Sequence, residues 1–434
     1  MTITYSRIAK VAIPIVLSNI TIPLLGLVDT AVIGRLGEAK LLAAVSLGSI
    51  IVSFIYWTFG FLRMGTTGLT AQAKGRGDEV EITSILIRGL IVGLLGGLIL
   101  MIFQAPIIWI CLQMFQASTV VESTAEAYWF IRIFGAPFCI SNFVLIGWLV
   151  ALERTKLILV LQVVINLINI FLDLWFVSLL NWGVEGVAFA SVVSEIVGFF
   201  LALIFCQRQL GSNLIFKHSS IFSLIEWKKM FSVNIYILIR SLLLELVVVS
   251  YVFFGSLLGT VTLAANQILL QLMSFTAYLL DGLAFSAEVL VGYAVGEKST
   301  RNIRESTIKI FKLAGISALV ICLFLIVWGE KIVDFITLDF QVQSVAKTYL
   351  FWMIFTPITG FPSWILDGVF IGATQSRLMM KAMFQSVIFY FLIVVLCFPI
   401  LNNHIIWLLV NIFLLTRAVF LFRYYPRLEK LDYY

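Results

Sequence analysis

Charged residues are scarce in this chain of 434 residues. Asp, Glu, Lys and Arg together make up 12% of the sequence, whereas 61% of it is hydrophobic. A soluble domain carries about 25% charged and about 45–50% apolar residues. No water-soluble fold of this length could bury so much apolar surface, because much of any folded surface faces the solvent. We therefore expect lipid to be the main solvent of this protein.

Residues and motifs that carry enzyme chemistry are also few. There are two histidines, and neither a GxxxxGK[ST] phosphate loop nor a GxSxG nucleophile motif occurs. The net charge of +6 is spread over short loops, which indicates membrane topology rather than a nucleic-acid site. We expect no enzyme activity, no cofactor, no nucleic-acid partner and a monomer. The cysteines lack CxxC spacing, so the sequence supports neither a disulfide framework nor a metal knuckle (Cys111, Cys139, Cys206, Cys322 and Cys397).

Long apolar runs recur along the whole chain, each near the length of about 20 residues that a helix needs to cross a bilayer. Such runs are too long and continuous for barrel strands, so the fold class is an all-α integral membrane protein. We predict about twelve transmembrane helices, at residues 11–33, 42–72, 84–110, 126–151, 157–178, 184–206, 231–257, 262–296, 308–329, 347–373, 379–401 and 405–423.

Most basic loop residues fall on one side of this arrangement, including the polar stretch 207–229 and the tail from Arg417 onward. Positive loops mark the cytoplasmic side. We therefore expect a multi-pass protein of the cell inner membrane with both termini in the cytoplasm.

An internal repeat divides the chain. The segment beginning at Leu42 aligns without a gap on the segment beginning at Leu263, an offset of 221 residues, and matched glycines follow the same offset. Two parallel six-helix lobes are expected, namely 1–210 and 231–434, joined by a cytoplasmic connector at 211–230. Paired halves of this kind hold substrate between them in many transporters.

Ionisable residues inside membrane spans are costly, so each is a candidate site residue. Asp29 and Asp173 stand out because the repeat places Ser250 and Val394 at the equivalent positions. An acid present in one half alone indicates a specialised site rather than a shared scaffold pair.

The residues near Asp173 leave two interpretations open. Asn169 lies one turn before Asp173 on the same helix face, and Ser191 lies in the next predicted span. These carboxylate, amide and hydroxyl oxygens could bind Na⁺. Equally, two carboxylates in a low-dielectric cavity repel each other, which favours protonation of one of them and so makes a proton site.

Two prolines, Pro14 and Pro23, lie in the first span, where each removes an intrahelical hydrogen bond. They predict either static bends or a helix that bends when Asp29 is neutralised. The remaining intramembrane charges line a cavity or form ion pairs. Arg240 and Glu245, five positions apart on one helix, are consistent either with a structural ion pair or with a functional site. These candidates are Arg63, Glu195, Arg240, Glu245, Asp281, Glu288 and Asp367.

Four segments together resemble the multidrug and toxic compound extrusion (MATE) family, and in particular its branch named after the DNA-damage-inducible protein F. The likeness covers essentially the whole chain. The segments begin at Ile13, Phe61, Leu279 and Leu366 and read IPIVLSNITIPLLGLVDTAVIGRLG, FLRMGTTGLTAQAKGRGD, LLDGLAFSAEVLVGYAVGEKS and LDGVFIGATQSRLM.

The resemblance implies a V-shaped transporter that exports organic cations or other toxic amphiphiles in exchange for H⁺ or Na⁺. It places the family's cation-binding acid at Asp29 and its bending proline at Pro14. The family's asparagine and aspartate fall on Asn169 and Asp173, and Ser191 stands where the family has threonine.

Two functions other than antiport are consistent with a helical membrane protein that contains buried acids. A lipid-linked precursor flippase of the related superfamily would need a strongly cationic cavity for anionic pyrophosphates, and the acids Asp29 and Asp173 argue against it. An intramembrane aspartyl protease would need a GxGD setting, which neither Asp281 nor Asp367 has.

Overall fold

A computed structural model of the chain describes residues 2–34, 39–113, 118–210 and 218–430, with side chains for all of these except 22–34, 39 and 218. The described residues form helices joined by short turns. This agrees with the requirement that backbone polar groups in lipid be satisfied within the chain.

The first half of the chain contains α1 to α9. Two of these helices are short, and α8 continues from Asp173 into a π-helical segment, Leu174–Leu179. The bounds are α1 Tyr5–Gly34, α2 Ala39–Thr58, α3 Phe61–Arg76, α4 Glu79–Ile102, α5 Gln104–Gln113, α6 Thr119–Arg132, α7 Ala136–Ala151, α8 Thr155–Asp173 and α9 Gly183–Leu210.

The second half contains six long helices preceded by a single helical turn, α10. The bounds are α10 His218–Ile221, α11 Leu224–Ser256, α12 Thr260–Gly296, α13 Thr300–Ile336, α14 Phe340–Gly372, α15 Ser376–Cys397 and α16 Asn403–Tyr424.

Eleven helical segments of the described chain are long and apolar enough to cross a membrane. In addition, α1 is a helix of 30 residues, about 45 Å long. The predicted all-helical, twelve-span membrane fold is thereby confirmed. Many large apolar side chains on the outside of these helices are exposed, including Ile316, Phe324 and Val327 on α13. Such a surface is compatible with lipid and not with water.

Several helices extend beyond the predicted spans. The span predicted at 308–329 belongs to a helix of 37 residues, α13, because its polar first turns are also helical and Ser299 caps them by accepting a hydrogen bond from the Asn302 amide. Similarly, the span predicted at 42–72 is α2 followed by α3, with a turn near Gly60. A hydropathy pattern predicts the lipid-embedded part of a helix, but it does not predict the polar helical turns at its ends.

Contacts group the chain into two compact units. We call Leu17–Thr70 with Gly77–Lys229 the N-unit, and Met1–Val16, Ala71–Arg76 and Met230–Tyr434 the C-unit. The first part of α1 therefore packs in the C-unit, where Ser286 donates a hydrogen bond to the Ile8 carbonyl. The end of α3 does the same, since Gln72 donates to the Gly372 carbonyl at 3.0 Å. The predicted lobe bounds, 1–210 and 231–434, stay predictions.

Small residues allow the helices within each unit to pack closely. In the N-unit, a Cβ atom added to Gly97 of α4 would collide with the Ala136 and Pro137 backbone of α7. In the C-unit, Gly368 of α14 lies equally close to the Ala284 backbone of α12. Close backbone approach through glycine is typical of helix packing in membranes, where burial from water supplies no driving force between helices.

Candidate cation site

A polar stripe runs along one face of α8. Gln162, Asn166, Asn169 and Asp173 follow spacings of four, three and four residues, which places them on a single helix face. Asn166, Asn169 and Asp173 are buried in the N-unit, and Gln162 is half-buried. Polar groups buried in a membrane protein face the bundle interior or a water-filled cavity, so this face of α8 is the first candidate site.

Ser191 on α9 faces the same stripe. The Asn169 side-chain amide donates a hydrogen bond from Nδ2 to Ser191 Oγ at 3.4 Å. Asp173, one turn further along α8, is fully buried and is the last residue before the π-helical segment. Single π-helical segments are frequent at functional sites. The structure therefore brings Asn169 into contact with Ser191 and places Asp173 one turn away on the same face of α8. The oxygens of these residues are of the hard type that a small cation prefers.

Asn166 joins α8 to α1. Its Nδ2 donates to the Thr21 carbonyl oxygen at 3.3 Å, and its Oδ1 accepts from Gln162 Nε2 at 3.0 Å. The Thr21 hydroxyl in turn donates to the Ser18 carbonyl. A side-chain hydrogen bond to the main chain fixes the axial register of two helices, since both donor and acceptor are tied to the backbone by short links. We call this contact the Asn166–Thr21 link.

Asp29 and Pro23 lie outside the residues whose side chains are described. The α1 backbone is helical through both positions and through Pro14, which is buried in the C-unit part of the helix. The roles predicted for these three residues stay predictions.

A second polar cluster in the N-unit centres on an ion pair. Arg132 Nη2 donates to Glu195 Oε1 at 2.9 Å, and both residues are largely buried. Tyr56 donates to the Arg132 carbonyl at 2.8 Å, and the guanidinium lies over its ring. Glu195 is therefore an ion-pair residue with a cation on α6. Gly135 leaves room for its carboxylate, because a Cβ atom there would collide with Glu195 Oε2.

The C-unit holds a buried cluster of three charges. Asp367 Oδ2 on α14 accepts hydrogen bonds from Arg240 on α11 and from Arg417 on α16, the latter at 2.5 Å. Arg417 is 2% exposed and Arg240 6% exposed. We call these residues the Asp367 cluster. Asp367 is therefore an ion-pair residue with two cationic partners that come from two other helices.

The predicted pairing of Arg240 with Glu245 is therefore wrong, since Arg240 binds Asp367 instead. Five positions along a helix correspond to a rotation of about 140°, which points the two side chains in different directions. Glu245 lies half-buried on α11. Arg417, which we expect from the sequence at the start of the basic tail, lies buried inside α16.

The other candidates lie on two helices. Arg63 is half-buried on α3 of the N-unit, and its carbonyl accepts a hydrogen bond from Thr67 Oγ1 at 2.9 Å. Asp281 is half-buried and Glu288 buried on α12 of the C-unit, with seven positions between them.

Sequence reasoning missed three features. Asn166 shares the spacing of Asn169 and Asp173, so extending that periodicity by one turn would have found it. Arg417 lies within an apolar run, and so does Arg88, which pairs with Glu81 in α4 of the N-unit. An inventory of intramembrane arginines would have found both.

Comparison with known families decides the identity of the chain. The MatE family model matches twice, over residues 14–175 and again over residues 237–398. The two matches together cover well over half of the chain, and they fall one in each half of the predicted repeat. The chain belongs to the MatE family.

Curated relatives agree with this assignment. The chain is 35% identical to the DNA damage-inducible protein F of Escherichia coli (strain K12) over 412 residues, which cover 94% of this chain and 89% of that protein. It is 24% identical over 355 residues to a probable multidrug resistance protein NorM of Bacillus cereus, covering 80% of this chain and 77% of that protein. The resemblance to the MATE family is thus confirmed, and the chain is a transporter of the multidrug efflux type rather than an enzyme.

Solved MATE structures share the fold. A crystal structure of MATE in complex with MaL6 superposes with a TM-score of 0.85 at 19% sequence identity, covering 99% of this chain and 97% of that one. An outward-facing MATE transporter of the MOP superfamily also gives a TM-score of 0.85, at 18% identity, covering 99% of this chain and 96% of that one. At such low sequence identities, the structural similarity establishes only the fold of this MatE protein.

Proposed function

We propose that this MatE protein is a secondary active antiporter that exports organic cations or other toxic amphiphiles in exchange for H⁺ or Na⁺. The exchanged cation binds in the N-unit at Asp29, Asn169, Asp173 and Ser191. The protein resides in the cell inner membrane with both termini in the cytoplasm. It needs no cofactor other than the coupling ion.

The Asn166–Thr21 link supports the pairing of the two acids. Three membrane crossings separate α1 from α8, so the two helices run in the same direction. Asp29 lies eight positions after Thr21, and Asp173 lies seven positions after Asn166. At 1.5 Å per residue these offsets are about 12 Å and about 10 Å. The helix register therefore puts the backbones of positions 29 and 173 at nearly the same depth, which supports a shared site.

Two carboxylates at one depth suit a coupling site. Their mutual repulsion in a low-dielectric interior is relieved either by a proton or by a Na⁺ ion, and the oxygens of Asn169 and Ser191 complete the ligand set. In either case occupancy changes the charge of the N-unit interior. Buried charge is costly in a membrane, so this change is large enough to alter which conformation is favoured.

Antiport follows if the cation and the drug bind with mutually unfavourable free energy. Linkage makes this effect reciprocal, so a cation that lowers drug affinity must itself bind more weakly when drug is present. Typical coupling corresponds to about 5- to 150-fold in affinity. Cation entry from outside then drives drug release, and cation release inside restores the drug-binding form.

Transport in reconstituted vesicles tests this proposal. A fluorescent lipophilic cation is followed under an imposed pH gradient, an imposed Na⁺ gradient, or neither, for wild type, Asp29→Asn and Asp173→Asn. We expect both variants to lose gradient-driven transport by more than about tenfold, which is the effect of about 1.4 kcal/mol of lost coupling. The gradient that drives the wild type identifies the coupling ion.

Asp334→Asn is the matched control. Asp334 is a partly exposed acid of the C-unit that pairs with Lys347 at 2.6 Å, so its neutralisation changes net charge equally without touching the proposed site. Gradient-driven transport at the wild-type rate in Asp173→Asn would remove the coupling site. Wild-type transport that ignores both gradients would instead favour the lipid-precursor flippase.

A further inference from the structure

Two adjoining grooves lie in the C-unit along the first turns of α13. The first has a volume of about 440 Å³ and the second about 530 Å³. Both are lined by Arg304, Ile308 and Lys312, so they form one continuous surface, which we call the α13 groove. The end of α16 supplies the opposite wall of the first groove through Phe422 and Tyr425.

The α13 groove presents two exposed cations on one helix face. Arg304, Ile308 and Lys312 follow a spacing of four residues, so the cations stand about 12 Å apart with an apolar residue between them. Among the described residues, neither Arg304 nor Lys312 has an ion-pair partner. The nearest acid on the helix, Glu305, is held by Lys309 at 2.7 Å. Glu429 lines the second groove and also lies beside Tyr425 of the first.

Aromatic rings form the apolar wall beside these cations. Phe311 and Phe422 have ring centroids 5.4 Å apart, and Phe311 also packs edge-on against Phe361 of α14 at 5.5 Å. Phe422 and Ile308 remain 47% and 44% exposed. Water is an unfavourable environment for these exposed apolar side chains, and hydrocarbon is an unfavourable environment for the two cations beside them.

The depth of the α13 groove in the membrane provides both environments. Residues 313–329 contain no charged side chain, and this stretch is nearly long enough to cross the hydrocarbon core. Lys312 therefore lies at the edge of the hydrocarbon, and Arg304 lies two turns further out, at headgroup level. At this depth a phosphate is available to the cations, and acyl chains are available to the rings.

We propose that the α13 groove binds an anionic phospholipid. The headgroup phosphate binds Arg304 and Lys312, and an acyl chain lies along Ile308, Phe311 and Phe422. Basic pockets between transmembrane helices bind anionic headgroups in this way, because phosphate charge is neutralised at a depth where water is depleted. This inference is independent of the proposed transport activity, because it concerns residues of the C-unit and none of the proposed cation-site residues.

Native mass spectrometry of the full chain tests it. The protein is released from nanodiscs that contain equal amounts of phosphatidylglycerol and phosphatidylcholine, and retained lipids are counted. We expect the wild type to retain phosphatidylglycerol preferentially. Arg304→Gln with Lys312→Gln should lower its apparent affinity by about fivefold for each cation removed. Phe422→Ala should also weaken retention, because it shortens the apolar wall at an exposed position.

Arg377→Gln with Lys381→Gln is the matched control. These exposed cations line a separate basic pocket with Gln375, Leu378 and Arg427, which has no aromatic wall. The control removes the same charge and should leave lipid retention unchanged. Equal loss in both double variants would show general charge attraction and overturn the proposal. Equal retention of the two phospholipids would also overturn it, and so would full displacement by millimolar inorganic phosphate, which marks a free-anion site. Unchanged thermal unfolding in detergent confirms that the variants are folded.

Discussion

Asn166 of α8 donates its side-chain amide to the main-chain carbonyl of Thr21 in α1 at 3.3 Å. This contact connects the helix that carries Asn169 and Asp173 to the helix that carries Asp29. Hydrogen bonds between membrane helices contribute about 0.6 kcal/mol on average. The contact is therefore weak enough to break during a transport cycle, and its effect on register outweighs its effect on stability.

We expect Asn166→Ala to reduce gradient-driven transport several-fold while changing the unfolding temperature little. The reason is that loss of the Asn166–Thr21 link lets α1 slide relative to α8, which moves the two acids out of register. Vesicle transport and thermal unfolding in detergent measure the two effects. Gln162→Ala is the control, because it removes the other hydrogen bond of Asn166 and leaves the link to α1 intact. Equal transport in the two variants would argue against a role in register.

The Asp367 cluster makes a prediction about stability. Asp367→Asn removes the acid that binds both buried arginines, whereas Arg417→Met leaves a single balanced pair of Arg240 and Asp367. Removing the only counter-charge of a buried group costs about 3–5 kcal/mol. We therefore expect Asp367→Asn to lower the unfolding temperature much more than Arg417→Met.

The double variant Asp367→Asn with Arg417→Met checks the same explanation. It removes one of the two repelling cations, so part of the lost stability should return. If Asp367→Asn unfolds like wild type but loses its response to an ion gradient, Asp367 is a coupling residue and the structural assignment fails.

The ion pair of the N-unit predicts a different pattern. Arg132→Met alone leaves Glu195 charged and buried without its cation, so we expect a loss of about 3–5 kcal/mol. Arg132→Met with Glu195→Gln removes both charges and should be clearly more stable than the single variant. Denaturant unfolding of wild type, Arg132→Met, Glu195→Gln and the double variant gives the coupling free energy. Additive effects would show that the two side chains do not interact.

Close packing of α4 on α7 can be tested with neighbouring glycines. Gly97→Ala places a methyl group against the Ala136 and Pro137 backbone, which cannot move without separating the helices. Overpacking of this kind costs about 1–3 kcal/mol. In Gly96→Ala the added methyl group meets only the Phe59 ring, at 3.1 Å, and that ring can turn aside. We expect the unfolding temperature to fall in Gly97→Ala and to stay near wild type in Gly96→Ala. Equal effects would contradict this packing.

Most of the fold was predictable because hydrocarbon leaves the backbone few choices. A run of about 20 apolar residues must be a helix, so the number of spans follows from hydropathy. The extra turns of α13 were not predictable in this way, since they are amphipathic and depend on the cap at Ser299. The spacing of Asn169 and Asp173 also placed them correctly on one face of α8, because helical periodicity is a local property.

The amino-acid sequence alone determined that this protein is a helical membrane protein, that its two halves repeat, and which helix faces are polar. These are consequences of local composition and of the helix period. Only the tertiary structure decided the partners: Arg240 with Asp367 rather than Glu245, Arg417 inside the charge cluster, and Asn166 against the α1 backbone. Each of these contacts joins helices far apart in the chain. Which distant groups come into contact depends on how the helices pack against one another. The spacing of residues along a single helix does not determine that packing.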